Sequence, residues 1–537
     1  MSLSGSVGRK SWRSRFALGV VYLLLSLGAV TTVVPFTVMV STSLKGPTDQ
    51  NDNKLIPRYF SEVKPVKEDW SKPDATLLGK YLDDKYQGNP SVIQSTRLKP
   101  DASAEEIAKY EQFLMDLPVT MWQAGFRQAG GQVTSKLTLR YQNWLKARFS
   151  TIQELNKAYV EENVSFITVP PPGELLDRKD WSPPLNSKKY QDWLEFKETL
   201  PAEFRIPIRV TRLWQEFLQG KFQGQFANVP KQYAGDAKSF ETLTNPFSGC
   251  IITPLEEEFK SKRLPDDPSR TGAEDRWSAF IAPDRNYKYR MAPEVMPIAA
   301  YESAFVSKNA SEIRKEFATR NYRYVTSYIL LNGRAVVNTV LFCALVILTQ
   351  LTVNPLAAFA LSRFPIRSTG KILIFLLATM AFPAEVAMIP SFILLKDLGL
   401  LNTFAALVLP GAASGYMIYL LKGFFDSLPQ ELYESGQLDG AKEITMMWKI
   451  AFPLSRPVLG YLALVAFMGA YGAFLFAFLI AQDRNMWTLM VSMYQLQLVA
   501  PKAVVMAGLT IAALPTLLVF LAAQRVILRG IVLPGER

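Results

Sequence analysis

Apolar runs and polar stretches alternate unevenly along this chain, and the lengths of the runs predict a membrane protein. Six runs are long enough to cross the hydrocarbon core of a bilayer, which takes about 20 residues in a helix. They are Phe16 to Val40, Ala335 to Leu361, Ile372 to Leu395, Leu400 to Leu421, Pro457 to Gln482 and Ala503 to Gln524. Glu385, in the third run, is the one charged residue among them. We therefore predict an all-α polytopic membrane protein with six transmembrane helices and both termini on the same side.

Basic residues beside these runs predict the orientation. The first run is too long for the apolar region of a signal peptide, which has about 7 to 15 residues, so we expect an uncleaved anchor. With the N-terminus inside, the short outer segments hold only Arg334, Lys396, Arg484 and Lys502. The inner segments hold fourteen: Arg9, Lys10, Arg13, Arg15, Arg363, Arg367, Lys371, Lys422, Lys442, Lys449, Arg456, Arg525, Arg529 and Arg537. Because Lys and Arg collect on the cytoplasmic side, both termini are predicted to be cytoplasmic.

A polar stretch of nearly three hundred residues separates the first two runs, and the topology places it outside the cytoplasm. Helical spacing within it predicts a mainly helical soluble insert. The predicted helices are Ala104 to Leu117, Leu137 to Phe149, Ile152 to Val160, Tyr190 to Leu200 and Arg212 to Phe222. Thr48 to Asn53 is expected to be a flexible exit from the membrane. The predicted domains are 1–45 with the first transmembrane helix, 46–332 as the insert, and 333–537 with the other five helices and a cytoplasmic loop at 422–457.

The insert also predicts an internal repeat. A first unit contains Phe113, Leu117-Pro118, Trp144-Leu145, Phe149, Tyr159 and Ser165-Phe166. The second unit has Phe196, Leu200-Pro201, Trp214, Phe217-Leu218, Phe222, Tyr233 and Ser239-Phe240, and Trp277 starts a weaker third. Stacked helical units of this kind bury faces that one unit cannot bury alone.

The stretch from Ser427 to Pro457 is polar and lies between two apolar runs. Ser427 and Gln430 have the spacing of a capping box, with Pro429 in the first turn, so a helix is predicted to run to about Asp439. Gly440 then breaks it. A second helix should place Ile444, Met447, Trp448 and Ala451 on one face and stop at Pro453 and Pro457. We name residues 427–457 the bent segment.

Several residues of the bent segment resemble the EAA loop of binding-protein-dependent ABC importer permeases. They are Glu434, Ser435, Gly436, Asp439, Gly440, Ala441, Ile450 and Pro453. Ser435-Gly436 stands where the family pattern has Ala-Ala, and Phe452 stands where it has Leu. In that family the loop forms the coupling helix that docks on the ATP-hydrolysing subunit.

Further positions are similar to the carbohydrate branch of these permeases, in particular to the second permease of maltose-type systems. They include Asn338-Thr339, Phe359 to Phe364, Leu398 to Thr403 and Leu514-Pro515. The resemblance implies the type I importer permease fold, the prokaryotic inner membrane and transport of a sugar or oligosaccharide by alternating access. The implied partners are two copies of an ATP-binding subunit and a second permease, with a solute-binding protein as a further candidate, all within membrane lipid.

The sequence lacks histidine-based and cysteine-based catalytic sites; the carboxylates Glu256 to Glu258 and Asp266-Asp267 could form a glycosidase pair, but such charge runs in loops are usually solvated. The absence of histidine excludes Ser/His and Cys/His catalysis, and Cys250 and Cys343 are too few for a cysteine metal cluster. No phosphate-binding Gly-x-x-x-x-Gly-Lys-Ser/Thr motif occurs, so ATP hydrolysis is expected in a separate subunit. We therefore predict no enzyme activity, no cofactor and no metal. The net charge of +12 is partly explained by the inner flanks, and nucleic acid is not an expected partner.

Polar groups within the runs are candidates for a solute path, because such groups are costly in lipid and face the protein interior. They are Glu385, Gln350, Asn354, Tyr416 and Tyr471. Contacts between helices are an equal alternative for each.

The role of the insert stays open at the level of sequence. Seven of the ten tryptophans fall in it, Trp70, Trp122, Trp144, Trp181, Trp193, Trp214 and Trp277, and aromatic faces can stack on sugar rings. For Trp144 and Trp214, packing in the core is favoured. The insert is expected either to bind solute or to dock a solute-binding protein. The alternative to a permease is a membrane-anchored extracytoplasmic carbohydrate receptor or processing protein, in which the spans only anchor the insert.

Overall fold

The computed structural model describes most of the chain. The described residues are 12–46, 48–52, 54–61, 76–87, 99, 101–127, 136–163, 165–174, 184–240, 243, 255, 258, 273–281, 295–331, 334–364, 367–379 and 383–529. Arg9, Lys10, Trp70, Trp181, Cys250 and Arg537 lie outside them. The chain divides into two compact units, residues 1–324 with 499–507 and residues 325–498 with 508–537.

The first unit contains one long apolar helix and the helices of the insert. Helix α1, Trp12–Ser43, contains the first predicted span. The others are α2 Leu77–Lys85, α3 Ala104–Asp116, α4 Lys136–Arg148, α5 Ile152–Tyr159, α6 Lys188–Glu198, α7 Val210–Lys221, α8 Lys231–Ala234, α9 Ala273–Ile281, α10 Ile298–Lys308 and the start of α11, Ala310–Thr326. All five helices predicted for the insert are present, with ends within two residues.

Two short strands join the two halves of the insert. Strand β1, Trp122–Ala124, pairs antiparallel with β2, Arg205–Pro207. Each strand follows a helix, a Leu-Pro pair and a 3₁₀ turn, Val119–Met121 before β1 and Ala202–Phe204 before β2. The order helix, 3₁₀ turn, strand, helix therefore occurs twice, at the positions of the two predicted repeat units. The duplication itself stays a prediction.

Most tryptophans of the insert pack in its hydrophobic cores. Trp122, Trp193 and Trp277 are buried in a large core shared by most insert helices, and Trp214 is buried in a smaller core around α7. Trp144 is half-buried beside Tyr141 and Phe196. The idea that these residues present sugar-stacking faces is wrong for the four buried side chains. Trp193, Trp214 and Trp277 pack on other aromatic rings, and the Trp122 ring lies against the Lys197 and Arg205 side chains.

The predicted flexible exit from the membrane is wrong. Residues 48–52 form tight turns, and the Asp49 carboxylate is buried against the Lys80 ammonium at 3.0 Å. Asn53, the last residue of the predicted exit, lies outside the described residues. Lys80 also pairs with Asp84 at 2.5 Å. Arg320 of α11 reaches the other Asp84 oxygen at 3.0 Å. Burial alone would raise the pKa of Asp84, but the Lys80 and Arg320 charges outweigh it and hold the pKa below its usual value.

The end of α1 is tied to α11 as well. The Asn321 side-chain amide donates to the carbonyl oxygens of Ser43 at 2.7 Å and Lys45 at 2.6 Å. The hydroxyls of Ser43 and Tyr322 lie 2.6 Å apart. Because these polar groups are shielded from water, their hydrogen bonds hold the end of α1 firmly against α11.

The second unit holds the remaining apolar helices, except for residues 499–507 at the end of α22 and the start of α23. They are α12 Ala335–Arg363, α13 Thr369–Thr379, α14 Ala384–Asp397, α15 Phe404–Val408, α16 Gly415–Asp426, α17 Gln430–Leu438, α18 Glu443–Met446, α19 Phe452–Leu454, α20 Arg456–Gly472, α21 Leu475–Ile480, α22 Leu489–Val499 and α23 Lys502–Arg529. A π-helical turn, Ser327–Leu331, precedes α12, and 3₁₀ turns at Leu409–Gly411 and Arg484–Met486 follow α15 and α21. Helix α12 packs against both α16 and α20.

Three predicted spans are interrupted in the structure. The third is divided into α13 and α14, and Pro383 caps the start of α14 because it has no N–H to continue a helix. The fourth is bent by 52° between Phe404–Gly411 and Gly415–Asp426. The fifth divides at Ala473 between α20 and α21. The other three predicted spans are single helices.

Among the described residues, three helices are long and apolar enough to cross a membrane. They are Leu18–Ser43, Ala335–Arg363 and Lys502–Gln524. Two bent pairs pass the same test together, Phe404–Gly411 with Gly415–Asp426 and Glu443–Leu454 with Arg456–Gly472. Length and composition therefore allow three to five spans in this part of the chain.

Candidate functional site

The bent segment consists of two short helical pieces joined by a glycine. Helix α17 ends in a Schellman motif: the Gly440 N–H donates to the Gln437 carbonyl and the Ala441 N–H donates to the Gly436 carbonyl, both at 2.9 Å. This motif requires a left-handed residue, and Gly440 has φ of +76°. The predicted glycine break is therefore confirmed, with a specific geometry.

The predicted capping box at the start of α17 is wrong. Ser427 is the C-cap of the preceding helix α16, and its hydroxyl donates to the Phe424 carbonyl at 2.7 Å. Pro429 takes the N-cap position of α17 instead. The Ser427 hydroxyl is unavailable to α17 because α16 continues to Asp426, five residues beyond the predicted end of the fourth span.

The second helical piece runs from Glu443 to Leu454 through a π-helical turn, Met447–Ala451. Pro453 lies inside its last turn, and Pro457 lies in the first turn of α20, so neither residue stops a helix as predicted. The chain bends by 83° between Leu454 and Arg456. Proline is tolerated at position 457 because the first turn of a helix does not use its N–H groups.

The predicted common face of this piece is only half correct. Met447 and Ala451 are buried together with Met446, whereas Ile444 and Trp448 point outward. Trp448 is 57% exposed, and its ring packs on the Phe452 ring at 4.7 Å between ring centres. Leu438, at the end of α17, is 90% exposed. We name Leu438, Ile444 and Trp448 the apolar tip.

The apolar tip was missed as a site by sequence reasoning, although a signal for it exists. Leu438 directly precedes the cap of α17, and Ile444 and Trp448 are four residues apart on one helical face. Apolar side chains in a polar loop are expected to be buried, so the exposure of these three makes this segment a candidate contact surface.

Gly436 is the point where the two pieces touch. A Cβ atom placed on it would lie 3.3 Å from Ile450 Cδ1 and 3.5 Å from Met446 Sδ. Glycine costs about 1 kcal/mol of helix stability compared with alanine. At this position it permits close packing, which explains the departure from the family's Ala-Ala. The other predicted residues of the loop, Glu434, Ser435 and Asp439, are exposed on α17 and its cap.

The bent segment is anchored to the end of α12. Tyr433 is the buried residue of α17, and the Arg363 guanidinium lies 3.6 Å above its ring. Arg363 also donates to the Phe425 carbonyl at 2.5 Å, and the Ser362 hydroxyl donates to Asp426 at 2.6 Å. The Arg363–Tyr433 contact therefore links the bent segment to a helix long enough to cross a membrane, and the other two contacts link that helix to α16.

The structure brings two of the predicted solute-path residues together at the break between α15 and α16. The Asn354 amide donates to the Gln350 carbonyl at 2.9 Å, and its oxygen accepts from the Ser414 N–H at 2.8 Å. The Gln350 amide donates to the Gly411 carbonyl at 2.8 Å. Tyr416 follows in the first turn of α16 and is half-buried. These side chains form hydrogen bonds with the Ser414 N–H and the Gly411 carbonyl at the break in the helix. Such bonds are needed in lipid, which offers no hydrogen-bond partners.

The two remaining residues occupy other surroundings. The Tyr471 hydroxyl donates to the Ala512 carbonyl of α23 at 2.6 Å. Glu385 is exposed in the first turn of α14, where a carboxylate is favoured by the helix dipole. The five predicted residues therefore do not form one cluster of contacting side chains among the described residues.

Replacing Asn354 by Leu is expected to lower the thermal stability of the purified chain. Asn354 is fully buried, and the change leaves the Ser414 N–H without its partner, a loss of about 1–3 kcal/mol. Thr352→Val is the matched control, because Thr352 is exposed and its hydroxyl bonds only within α12. Equal melting temperatures of the two variants in detergent would contradict the assignment.

Known proteins similar to this chain were found by sequence and by structure. The family model described as "Binding-protein-dependent transport system inner membrane component" matches residues 354–532. The sn-glycerol-3-phosphate transport system permease protein UgpE of Yersinia pestis is 31% identical over 206 residues, which are 37% of this chain and 73% of UgpE. The polygalacturonan/rhamnogalacturonan transport system permease protein YtcP of Bacillus subtilis is 27% identical over 245 residues, 42% of this chain and 85% of YtcP.

A solved structure is also similar. It is a bacterial ABC transporter involved in the import of the acidic polysaccharide alginate, one chain of which is 24% identical, with a TM-score of 0.35, covering 38% of this chain and 78% of that one.

Proposed function

This chain belongs to the family of inner membrane components of binding-protein-dependent transport systems, and from that premise we propose that it is a permease subunit of an ATP-driven importer for a sugar or oligosaccharide. UgpE is named for sn-glycerol-3-phosphate transport and YtcP for polygalacturonan/rhamnogalacturonan transport, and the second name supports a carbohydrate as the solute. We further propose that the chain crosses the membrane six times with both termini in the cytoplasm. The third, fourth and fifth crossings are then formed by broken helices. The insert then lies outside the cytoplasm.

The apolar tip is the observation that carries the coupling role. Leu438, Ile444 and Trp448 project from a hairpin whose own packing uses the opposite residues, Met446, Met447 and Ala451. An exposed aromatic residue flanked by aliphatic side chains is typical of the centre of a protein interface. We assign this surface to the ATP-binding subunit, with Glu434, Ser435, Asp439 and Ala441 around it.

The mechanism follows from the anchoring of the bent segment. Closure of two ATP-binding subunits would draw this segment toward the corresponding one of a second permease subunit. The Arg363–Tyr433 contact passes that displacement to α12, and rigid movement of the spans opens the solute cavity outward. A solute-binding protein would deliver the solute from outside. Tyr416 and Glu385, which keep exposed surface, are the proposed solute contacts, while Gln350, Asn354 and Tyr471 support the path through backbone hydrogen bonds.

Co-purification tests this proposal. The chain solubilised from its own cells is expected to bring an ATP-binding subunit and a second permease with it. Trp448→Ala is expected to weaken retention of the ATP-binding subunit by about tenfold or more, because removal of a central aromatic residue typically costs about 2 kcal/mol or more. The second permease should stay bound.

Val160→Ala is the control for that variant, because Val160 is an exposed apolar residue of the insert, at the C-cap of α5. Unchanged retention in Trp448→Ala would remove the apolar tip from the interface. Purification of the chain without any ATP-binding subunit would favour the receptor alternative.

A further inference from the structure

An apolar groove runs beside the last turns of α1 in the first unit. One wall is formed by Phe36 and Val40 of α1 and by Leu44, the residue after that helix. The other wall is formed by Leu55, Ile56 and Phe60 of the segment that follows the exit turn. The groove encloses about 430 Å³. The stretch from Phe36 to Leu44 measures about 12 Å at 1.5 Å per residue, so the groove follows the helix for roughly two turns.

The segment on the far wall has its charge inside and its apolar side chains outside. Arg58 is only 6% exposed, and its guanidinium contacts the Asp83 carboxylate at 2.5 Å. Ile56 is 71% exposed, and Leu55 and Phe60 are more than half exposed. A loop in water would favour the opposite arrangement, because apolar surface is costly there and an arginine is not.

The α1 wall of the groove is apolar, and both hydroxyl groups on it already donate hydrogen bonds to backbone carbonyls. The Thr37 hydroxyl donates to the Val34 carbonyl at 2.8 Å. The Ser41 hydroxyl donates to the Lys54 carbonyl at 3.0 Å, which also holds the far wall against the helix. A sugar or a peptide strand needs hydrogen-bond partners on the wall it lies against, whereas an acyl chain needs only apolar contact.

The groove is continuous with the apolar surface of α1. The side chains from Leu18 to Val38 of this helix are exposed in the single chain, as expected of a helix that faces lipid. Lys54, which directly precedes Leu55 of the far wall, is exposed and supplies a positive charge that a lipid phosphate would favour. Long basic side chains occupy such positions at membrane interfaces.

We propose that this groove binds an acyl chain of an outer-leaflet phospholipid, so that the first part of the insert is embedded in the membrane surface. The inference rests on the proposed membrane crossing of α1. It adds a lipid contact that the transport function does not require.

Quenching of a fluorescent label by lipid tests the inference in the full chain. Cys250 and Cys343 are replaced by Ala, and a single cysteine is placed by Ile56→Cys, Leu24→Cys or Val160→Cys and labelled with bimane. The protein is reconstituted in vesicles of phosphatidylethanolamine and phosphatidylglycerol that contain doxyl-labelled lipid. The label at 56 is expected to be quenched about as strongly as the label at 24 and several-fold more strongly than the label at 160.

The controls separate the possible failures. Quenching at 56 by aqueous iodide, with strong lipid quenching at 24, would overturn the groove proposal and leave the crossing of α1 intact. Weak lipid quenching at both 56 and 24 would instead contradict the crossing itself. A photoreactive residue at 56 in intact cells is expected to form a lipid adduct. An adduct with a second membrane subunit would assign the groove to a protein and overturn the proposal.

Discussion

Gly436→Phe is expected to abolish solute uptake while the chain still inserts into the membrane. The Cβ position of residue 436 is already 3.3 Å from Ile450 and 3.5 Å from Met446, so an aromatic ring must push the two helical pieces apart. Overpacking of this kind costs about 1–3 kcal/mol and shifts the backbone. The apolar tip would then lose its shape, and uptake should fall by about tenfold or more, which a radiolabelled-solute assay in cells measures.

Gly423→Phe is the matched control for that prediction. Gly423 lies on an exposed side of α16, and a Cβ atom there has no neighbour within 4 Å. The same substitution should therefore leave uptake near the wild-type value. Normal uptake in Gly436→Phe, at equal membrane levels, would contradict the coupling role of the bent segment.

Two substitutions at Gly440 serve as a second readout of the same geometry. Proline fixes φ near −65°, which is incompatible with the observed +76°, so Gly440→Pro should behave like Gly436→Phe. Asparagine tolerates the left-handed region, so Gly440→Asn should retain much of the uptake. Equal loss in both would mean that the side chain, and not the backbone, disturbs docking.

Glu174→Gln is expected to destabilise the insert by about 3–5 kcal/mol, because removal of one member of a buried ion pair leaves the others uncompensated. The Glu174 carboxylate lies 2.8 Å from Lys197 Nζ and 2.8 Å from the Arg127 guanidinium, and it accepts from the Trp193 indole at 2.8 Å. Lys197 and Glu174 are both nearly inaccessible to solvent. Thermal unfolding of the full chain in detergent, with limited proteolysis of the insert, measures the effect.

Glu105→Gln is the control for Glu174. Glu105 also pairs with a lysine, Lys109, but both side chains are exposed, and such pairs contribute about 0–1 kcal/mol. A loss of stability of the same size in both variants would contradict the assigned role of the buried carboxylate.

The effect of Glu174 should also depend on pH, with a defined sign. Burial alone would raise the pKa of Glu174, but the Lys197 and Arg127 charges outweigh burial and lower it. A lowered carboxylate pKa stabilises the fold at pH values above the pKa of the unfolded chain, about 4.3 for glutamate. The stability difference between wild type and Glu174→Gln should therefore be constant from about pH 5 to neutral pH and shrink as the pH falls below about 4.

The sequence by itself determined the features that depend on local composition. The three unbroken spans follow from runs of apolar residues long enough for a bilayer, and the five predicted insert helices follow from apolar periodicity. The break at Gly440 was readable too, because glycine is the residue that adopts φ of +76° without strain. These properties depend on residues within a few helical turns of one another, so the sequence alone is enough to predict them.

Only the tertiary structure decided which faces pack and which polar groups are buried. Met446 and Met447 turn inward and Trp448 outward because a π-helical turn changes the helical phase, and no local pattern specifies that turn. Asp84 accepts a hydrogen bond from Arg320, which is 236 residues away in the sequence. Glu174 is buried although it follows a proline-rich stretch of the kind that predicts an exposed loop. Such contacts depend on partners brought together by folding, so their burial and charge balance are properties of the folded chain.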